Sequence, residues 1–569
     1  MGTCSIVEEL LAKRGLSGEA LEAFLDPSLK RLAKASDIPG LRSAAEVILP
    51  FVRDRRQIVV FGDYDCDGVC ASAILVMALS RLGANVKMFV PDRFTEGYGM
   101  TVASVGRMLA EHPDVALVVT VDCGITSASE VKLLKDRGIA VVVTDHHMPP
   151  ATLPECDALV DPKVSSQCDA ADALGAKELC GAGVAFFLAN MLAALAVEKG
   201  LYGGEKFGAP LLVLAGLATV VDIVPLLGQN RILVANALKA FRAAAPVGLI
   251  ELLYRAQRRP VDLTARDFGF LIGPRINAAG RMASAREAFD LLMETEREAA
   301  REHAFRVDTR NAERKTVENR MANDALSQIA EESPDAVVVN GGGGDPSWHS
   351  GVCGIVASRI VEKYGVPVAV AVDGHGSVRA PEGYDVHAAL TECADFLDRF
   401  GGHKAAGGFT VREGMFEDFR SAFKRVCAAQ CAKSGIVRER GLVREPELWI
   451  SPGDLTMELQ EALSSMAPFG EGNPEPVFGL RGVLFSDVRL MGDNGKHASF
   501  SFSDRRIPRA TWWNHGSEAE DIRARSSARF DVTFTLDVSD WGGEEPHLEL
   551  RVREVGISRT GVAGQSKCN

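Results

Sequence analysis

Residues 61–68 read FGDYDCDG, which sets Asp63, Asp65 and Asp67 directly behind an apolar run and ahead of a helix predicted to begin near Val69. Carboxylates crowded into one loop raise one another's pKa values unless a divalent cation neutralises them. A calcium site or a solvated turn also fits an acidic loop behind a strand, although no Glu closes the 12-residue loop of an EF-hand. The pattern recurs along the chain. The run 116–121 ends in Asp122, the run 140–144 ends in Asp145, His146 and His147, and Asp222 follows LAGLATVV. Taken singly, Asp122 before Cys-Gly reads equally well as a turn former, and a buried histidine as a satisfied core residue. Taken together, oxygen and imidazole donors at successive element ends suit Mn²⁺ or Mg²⁺ better than structural zinc.

The elements that must position these residues follow a βαβ rhythm. Short β-branched runs at 58–61, 86–90, 116–121 and 140–143 alternate with helical stretches, which predicts a mainly parallel sheet with ligands beyond its carboxyl edge. Residues 281–332 lack Gly and Pro and carry dense mixed charge, as solvated helices do. A second α/β pattern runs from 336 to 372 and closes in the glycine-rich GGHKAAGGF at 401–409. Beyond Lys433, alternating strands at 497–504, 529–540 and 547–555 predict a small β-barrel, with an OB-fold as the natural form. The expected organisation is an N-terminal helical segment 1–50, a parallel-sheet α/β domain 51–280, a helical connector 281–332, a smaller α/β domain 333–433 and a barrel domain 434–569.

Bulk composition narrows the function classes. At 569 residues, with 47% hydrophobic and 24% charged residues, the chain reads as several globular domains. No apolar stretch is expected to reach the ~18 residues that span a bilayer, the start MGTCSI lacks the Ser or Thr of a myristoylation site, and the tail is no prenylation box. Twelve scattered cysteines without a CxxC, and no secretory leader, predict reduced thiols and a cytoplasmic location without membrane partners. A net charge of -13 confines any nucleic-acid site to a local basic groove. The chain lacks GxxxxGK[ST] and any credible Ser-His-Asp or Cys-His arrangement.

DYDCDG, VDCG, TDHH and VDIVPL occur in the order and spacing of the DHH phosphoesterase superfamily, which the chain therefore resembles. The resemblance implies a binuclear centre in which Asp65 and Asp67 each favour one metal, Asp122 bridges, His146 and Asp222 complete the second, and His147 faces the phosphate. Many members carry a histidine where this chain has Phe61; the resemblance implies that Asp63 substitutes. Asp145 reads as the group that orients the two histidines. Two metals would hold the attacking and leaving oxygens of an in-line displacement at phosphorus.

GGHKAAGGF resembles the signature of the DHH-associated domain, and further stretches resemble the RecJ exonucleases within that superfamily: PDRFTEGYG (91–99), GPRINAAGRM (273–282), SWHSGVCGIVASR (347–359), GSVRAPEGYDVH (376–387) and MAPFGEGNPEPVF (466–478). They nominate Arg93, Arg275, Arg281 and Arg379 as phosphate donors, with Asn277 in the same run, Ser377 beside a terminal phosphate, and His403 facing the metals. Each arginine alone reads more readily as half of a surface ion pair. Ala380 stands where the family commonly has Ser, which removes one hydroxyl contact. Tyr98, Trp348 and His349 are candidates to stack on unpaired bases, with core packing an equal reading for Trp348; Trp512 and Trp513 stay open between barrel core and DNA. The resemblance implies a metal-dependent exodeoxyribonuclease that acts 5′ to 3′ on single-stranded DNA and releases mononucleotides in repair and recombination. Its implied partners are a single-strand-binding protein and a helicase. The alternatives are a phosphodiesterase of short oligonucleotides or cyclic dinucleotides, and an inactive DNA-binding scaffold.

Overall fold

A computed structural model describes residues 3–558 apart from 94, 98, 205–206, 262, 330–333, 343–344, 346, 435–444, 526 and 540–545. Its first sheet is parallel throughout, in the order β2-β1-β3-β4-β5, built from β1 Gln57–Gly62, β2 Val86–Phe89, β3 Val115–Val121, β4 Ala140–Thr144 and β5 Ala158–Val160. The central strands are buried on both faces, which is why they read as unbroken Val and Ile runs rather than as alternating ones. One face carries the large core of Ile58, Val60, Leu117 and Val119; the other packs Val59, Phe61, Val118 and Val141.

The helix Gly181–Glu198 is apolar all round and lies against the helices Leu41–Arg53 and Cys66–Arg81 inside that large core. It spans 18 residues, most of them buried. The expectation that no stretch reaches bilayer length is therefore corrected: one helix does, and its apolar perimeter is met by other helices of the same domain. The helix Cys66–Arg81 begins three residues earlier than its predicted start near Val69, because Asp65 caps it by accepting from the N–H groups of Asp67 and Gly68 at 2.9 and 3.1 Å.

A 31-residue helix, Arg297–Ser327, fills most of the predicted connector. Its first half packs on the helices Val247–Arg255 and Gly273–Met282, while Met321, Ala322 and Ala325 enter the core of the second domain. That domain is a mixed sheet ordered β6-β7-β8-β10-β9, from β6 Val337–Gly341, β7 Val368–Val372, β8 His375–Arg379, β9 Leu397–Gly402 and β10 Ala406–Val411; only β6 and β7 pair in parallel.

The third sheet has seven strands in the order β11-β12-β16-β17-β15-β14-β13, from β11 Leu448–Trp449, β12 Phe478–Val483, β13 Phe485–Met491, β14 His497–Phe502, β15 Ala510–Trp512, β16 Phe530–Ser539 and β17 His547–Ile557. The three predicted strands are β14, β16 and β17, and two parallel pairings, β11 with β12 and β15 with β17, join the antiparallel ones. Trp512 is buried at 6% exposure and stacks on His515 at 4.4 Å, whereas Trp513 is 53% exposed with the His497 ring edge-on at 4.8 Å.

The first two helices, Thr3–Lys13 and Gly18–Leu25, belong with this distant third sheet. Ile6, Leu10, Leu11 and Phe24 share its core, and Arg14 donates to Glu447 at 2.9 Å and to Asn473 at 2.6 Å. Arg231, only 2% exposed, ties the arrangement to the first domain: it donates to the carbonyls of Phe24 at 2.7 Å and Ala467 at 2.8 Å, with its guanidinium 3.7 Å from the Phe24 ring centre. Each buried carbonyl left without a donor costs about 1–3 kcal/mol. Arg231→Ala is thus expected to lower the melting temperature and to expose the junction of first and third domains to proteolysis; an unchanged melting curve and cleavage pattern would contradict this linkage.

Candidate metal centre

The carboxyl ends of β1, β3 and β4 and the end of the helix Ala209–Val221 meet in one pocket. β1 delivers Asp63, which is 1% exposed, and the cap of the next helix delivers Asp65. Asp67 lies in the first turn of that helix, 1% exposed, and its two oxygens accept from the N–H groups of Gly181 and Ala182 at 2.6 and 2.7 Å. Those N–H groups open the helix Gly181–Glu198, so a helix N-terminus holds the carboxylate in place. A side chain at Gly181 would lie 2.6 Å from the Asp122 Cβ, so only glycine allows this approach.

Asp122 follows β3 with φ at 59°, a left-handed conformation that Asp tolerates better than most residues and that turns its side chain into the pocket. The His146 Nε2 atom stands 3.0 Å from Asp122 Oδ1, 3.6 Å from Asp67 Oδ2 and 3.7 Å from Asp222 Oδ2. Asp222 caps the helix Ala209–Val221, so this carboxylate comes from a helix end and not from the sheet edge that supplies the others.

Without cations, these carboxyls can stay together only by taking up protons. Burial, then the charge of Asp65, pushes the Asp63 carboxyl well above the usual range, and burial with Asp67, Asp65, Asp63 and Asp222 does the same to Asp122. Burial and its acidic neighbours raise Asp67 to about 6 and Asp222 to about 9. Burial and the His147 charge push His146 down to about 3, so its ring is neutral. A neutral imidazole has one N–H at most, yet Asp63 Oδ1, Asp122 Oδ1 and both ring nitrogens of His146 are buried without hydrogen-bond partners. Buried oxygen and nitrogen atoms that converge unbonded are the donor set of hard divalent cations. The triads Asp63, Asp65, Asp122 and Asp67, His146, Asp222 each place ligand atoms within 4.8 Å of one another, as do Asp122, His146 and His147.

Asp145 has a different role. It accepts from the N–H groups of Ile125 at 2.9 Å and His146 at 2.7 Å and from His147 Nδ1 at 2.7 Å. Burial presses its pKa up, but the His147 hydrogen bond and charge outweigh that and hold it low. Burial likewise opposes the charged form of His147, but the Asp145 bond and the surrounding acids raise it to about 9, so the ring carries a proton at neutral pH.

Facing this pocket is a cluster of guanidinium groups from both domains. Arg93 lies over the Tyr64 ring at 4.6 Å, and Arg281 donates to the Gly351 carbonyl at 3.4 Å across the domain boundary. Burial, then the charge of Arg93, lowers Arg281 to about 10, and the same two causes lower Arg379. Arg379 and Ser377 lie against Gly354 in the first turn of the helix Cys353–Tyr364, where a Cβ would come within 2.7 Å of the Arg379 Nη2 atom. His349 sits beside them, half-buried, accepting from the Gly351 N–H at 3.1 Å.

Other nominated residues have different places. Arg275 donates to Asp308 at 2.9 Å and to the Leu271 carbonyl at 2.7 Å, which locks the helix Gly273–Met282 to the connector and corrects its reading as a phosphate donor. Trp348 is 7% exposed in the second domain's core and donates to Asp324 at 3.3 Å, so it packs instead of stacking on bases. Asn277 accepts from the Cys66 N–H at 2.7 Å, holding the acidic loop. His403 lies exposed in the β9–β10 turn, and Tyr98 is outside the described residues. The clamp on Asp67 and the base of Tyr64 beneath Arg93 escaped sequence reading; the signal was CGAG ahead of an apolar helix, a helix N-terminus free for an anion.

Fold and centre together define a metal-dependent phosphoesterase of the DHH class. Residues 57–214 match the DHH family, N-terminal domain, residues 334–429 the DHHA1 domain, and residues 447–554 the RecJ OB domain. The single-stranded-DNA-specific exonuclease RecJ of Haemophilus influenzae is 36% identical over 493 residues, covering 83% of either chain. The crystal structure of RecJ in complex with Mn²⁺ from Thermus thermophilus superposes with a TM-score of 0.77 at 32% identity, covering 96% of this chain and 77% of that one; the Mg²⁺ complex gives 0.70 at 29%, covering 96% and 76%. The chain belongs to the RecJ family.

The centre's charges set a pH dependence. Between pH 6.5 and 9 the folded metal-free protein holds more protons than the unfolded chain, through Asp222 and His147, both raised to about 9. Stability from these groups is therefore present on the acid side of the window and lost as pH rises through it. The melting temperature of metal-free protein is expected to fall across that window and the stabilisation by Mn²⁺ to grow; Asp122→Asn should flatten the fall and suppress the Mn²⁺ response. A Mn²⁺ response that is independent of pH and unaffected by Asp122→Asn would contradict the assignment.

Proposed function

We propose that this chain is a single-stranded-DNA-specific exonuclease that hydrolyses phosphodiester bonds 5′ to 3′ and releases 5′-mononucleotides, in DNA repair and recombination. One observation carries the reading: the carboxylate–imidazole pocket adjoins an arginine cluster, close enough that Asp65 acts on Arg281 and Arg93 on Asp63. A terminal phosphate held by Arg93, Arg281, Arg379 and Ser377 sets the first internucleotide phosphate at the metal pocket, so cleavage is counted from an end. The RecJ relatives, named as single-strand-specific exonucleases and solved with Mn²⁺ and Mg²⁺, support the substrate and cofactor. The 5′ polarity follows the family resemblance.

On this reading Asp63, Asp65, Asp67, Asp122, His146 and Asp222 hold two divalent cations, Mn²⁺ or Mg²⁺. When bound, these ions make a water acidic enough to attack phosphorus and neutralise the leaving oxygen. His147, kept protonated by Asp145, places a positive charge where the phosphate enters. Asp67 keeps its orientation through the Gly181 and Ala182 N–H groups. Residues 51–280, with the helix Leu41–Arg53 packed into their core, form the catalytic unit, 333–433 the unit that faces the strand end, and 434–569, joined by the first two helices, an OB module guiding the single strand, with 281–332 connecting the first two units. A single-strand-binding protein and a helicase are the expected suppliers of substrate, in the cytoplasm.

Strands labelled at either end, single or paired, decide the reading. Mn²⁺ or Mg²⁺ should release labelled mononucleotide from the 5′ end of single strands first, and Asp122→Ala should abolish release without changing the fold. Release from the 3′ end first, equal digestion of duplex, or activity confined to a dinucleotide control would overturn it. Charge-assisted contacts of this kind contribute roughly 1.5–3 kcal/mol, or about 10- to 150-fold in affinity. Removing the 5′-phosphate should therefore raise KM by at least that factor in the native enzyme and by distinctly less in Arg379→Ala, which keeps Arg93, Arg281 and Ser377; equal sensitivity of both proteins would remove Arg379 from the phosphate site.

A further inference from the structure

Asp161, Pro162 and Lys163 turn the chain out of β5 and supply no ligand to the metal centre. In the sheet order β2-β1-β3-β4-β5, the strands ahead of Asp63, Asp122 and His146 are the three inner ones. Arg93 follows the edge strand β2, and Lys163 follows the opposite edge strand β5. All these strands run parallel, so both residues lie at the carboxyl edge that carries the pocket. At ~4.8 Å per strand the two edge strands are about 19 Å apart, with the pocket between them. Asp161, fully buried, fixes the turn by accepting from the Lys163 N–H at 2.8 Å.

Lys163 is more enclosed than a surface lysine. Its side chain is 17% exposed, and among the described residues its ammonium has one ion-pair partner, Glu178 at 3.5 Å, the more exposed of the two. Glu178 precedes by a few residues the helix start that clamps Asp67. Asn230 donates to the carbonyls of Glu178 at 2.6 Å and of Pro225 at 3.0 Å, which ties this segment to the turn just past Asp222. The ammonium thus stands on the Asp222 side of the pocket. Its charge acts on Asp222 and His146, whereas that of Arg93 acts on Asp63. So long an ion pair with an exposed partner contributes little, and an ammonium has three N–H groups to place. An anion brought to the pocket from the arginine side would find them.

We infer that Lys163 is a further substrate-binding residue, whose ammonium takes a phosphate on the 3′ side of the bond to be cut. This rests on the 5′-to-3′ exonuclease reading. With the terminal phosphate on the β2 side and the scissile phosphate at the pocket, the strand continues toward the β5 edge, where Lys163 stands. A point charge on a flexible stem suits a phosphate that must be let go and replaced by the next after every cut, whereas a bidentate arginine would fix one geometry. Lys163 accordingly acts on the binding of uncut strand and not on the displacement at phosphorus.

The test uses full-length protein, Mn²⁺ and 5′-phosphorylated single strands in which the second, third or fourth linkage from the end is a neutral methylphosphonate, and follows release of the first nucleotide. A charge-assisted contact corresponds to roughly 10- to 150-fold in affinity. At one of the three positions the native enzyme should show KM raised by at least the lower of those factors, with kcat nearly unchanged. Lys163→Gln should carry the raised KM on the all-phosphate strand and lose nothing further at that position, and Lys163→Arg should recover most of the loss. Calorimetry should find Mn²⁺ bound by Lys163→Gln no more weakly than by the native protein, and Glu178→Gln should keep the native KM. Indifference of the native enzyme to all three neutral linkages, a further loss in Lys163→Gln equal to the native one, weakened Mn²⁺ binding in that variant, or Glu178→Gln behaving as Lys163→Gln does, overturns the assignment. Failure of the native enzyme to release the first nucleotide from the all-phosphate strand would instead sink the exonuclease reading, so the two failures are distinct.

Discussion

Mutual repulsion among buried carboxylates is the constraint on which the rest of this molecule depends. Asp63, Asp67 and Asp122 are almost fully excluded from water, and Asp65 and Asp222 act on them at short range. Buried like charges in a low-dielectric site neutralise themselves or acquire a counter-charge. The fold blocks simple dispersal: Asp67 is pinned by two N–H groups of a helix start, Asp122 by a left-handed backbone, and His146 by its neighbour Asp145. The pocket is thus held ready for cations by groups that are themselves not ligands.

Rigidity of the surrounding layers follows from the same need. The parallel sheet ends its strands at one edge, and the all-apolar helix Gly181–Glu198 can present its N-terminus to Asp67 only because its whole perimeter is packed. The second domain contributes Arg379, Ser377 and the first turn of Cys353–Tyr364, and the boundary is stitched by Arg281 to Gly351. Opposite charge faces opposite charge across that boundary, which suits a bound phosphate at their junction.

Much of this was legible in the sequence because strand periodicity and strand-end acids are local signals. The runs ending at Gly62, Val121 and Thr144 emerge as β1, β3 and β4, and their acids meet. What escaped was decided by distant contacts. The helix after the acidic loop starts at Cys66 and not near Val69 because a carboxylate that reads as a metal ligand also serves as its cap. Arg275 and Trp348 sit in runs that otherwise face the site, yet Asp308 and Asp324 of the connector helix claim them, a pairing no spacing rule reveals. The N-terminal helices join the third sheet's core across more than four hundred residues, since Arg14 finds Glu447. Phe61, where many of the superfamily carry a histidine, packs against Phe89 with centroids 5.1 Å apart, so that strand position offers no donor and the adjoining Asp63 supplies the nearest carboxylate.

Anomalous diffraction at the manganese edge from crystals soaked in Mn²⁺ is the most direct measurement of the central claim. The account expects two peaks within the pocket, both in contact with Asp122, with His146 and Asp222 on one and Asp63 or Asp65 on the other. A pocket without anomalous signal under conditions where the enzyme is active, or ions bound away from Asp122, would contradict it.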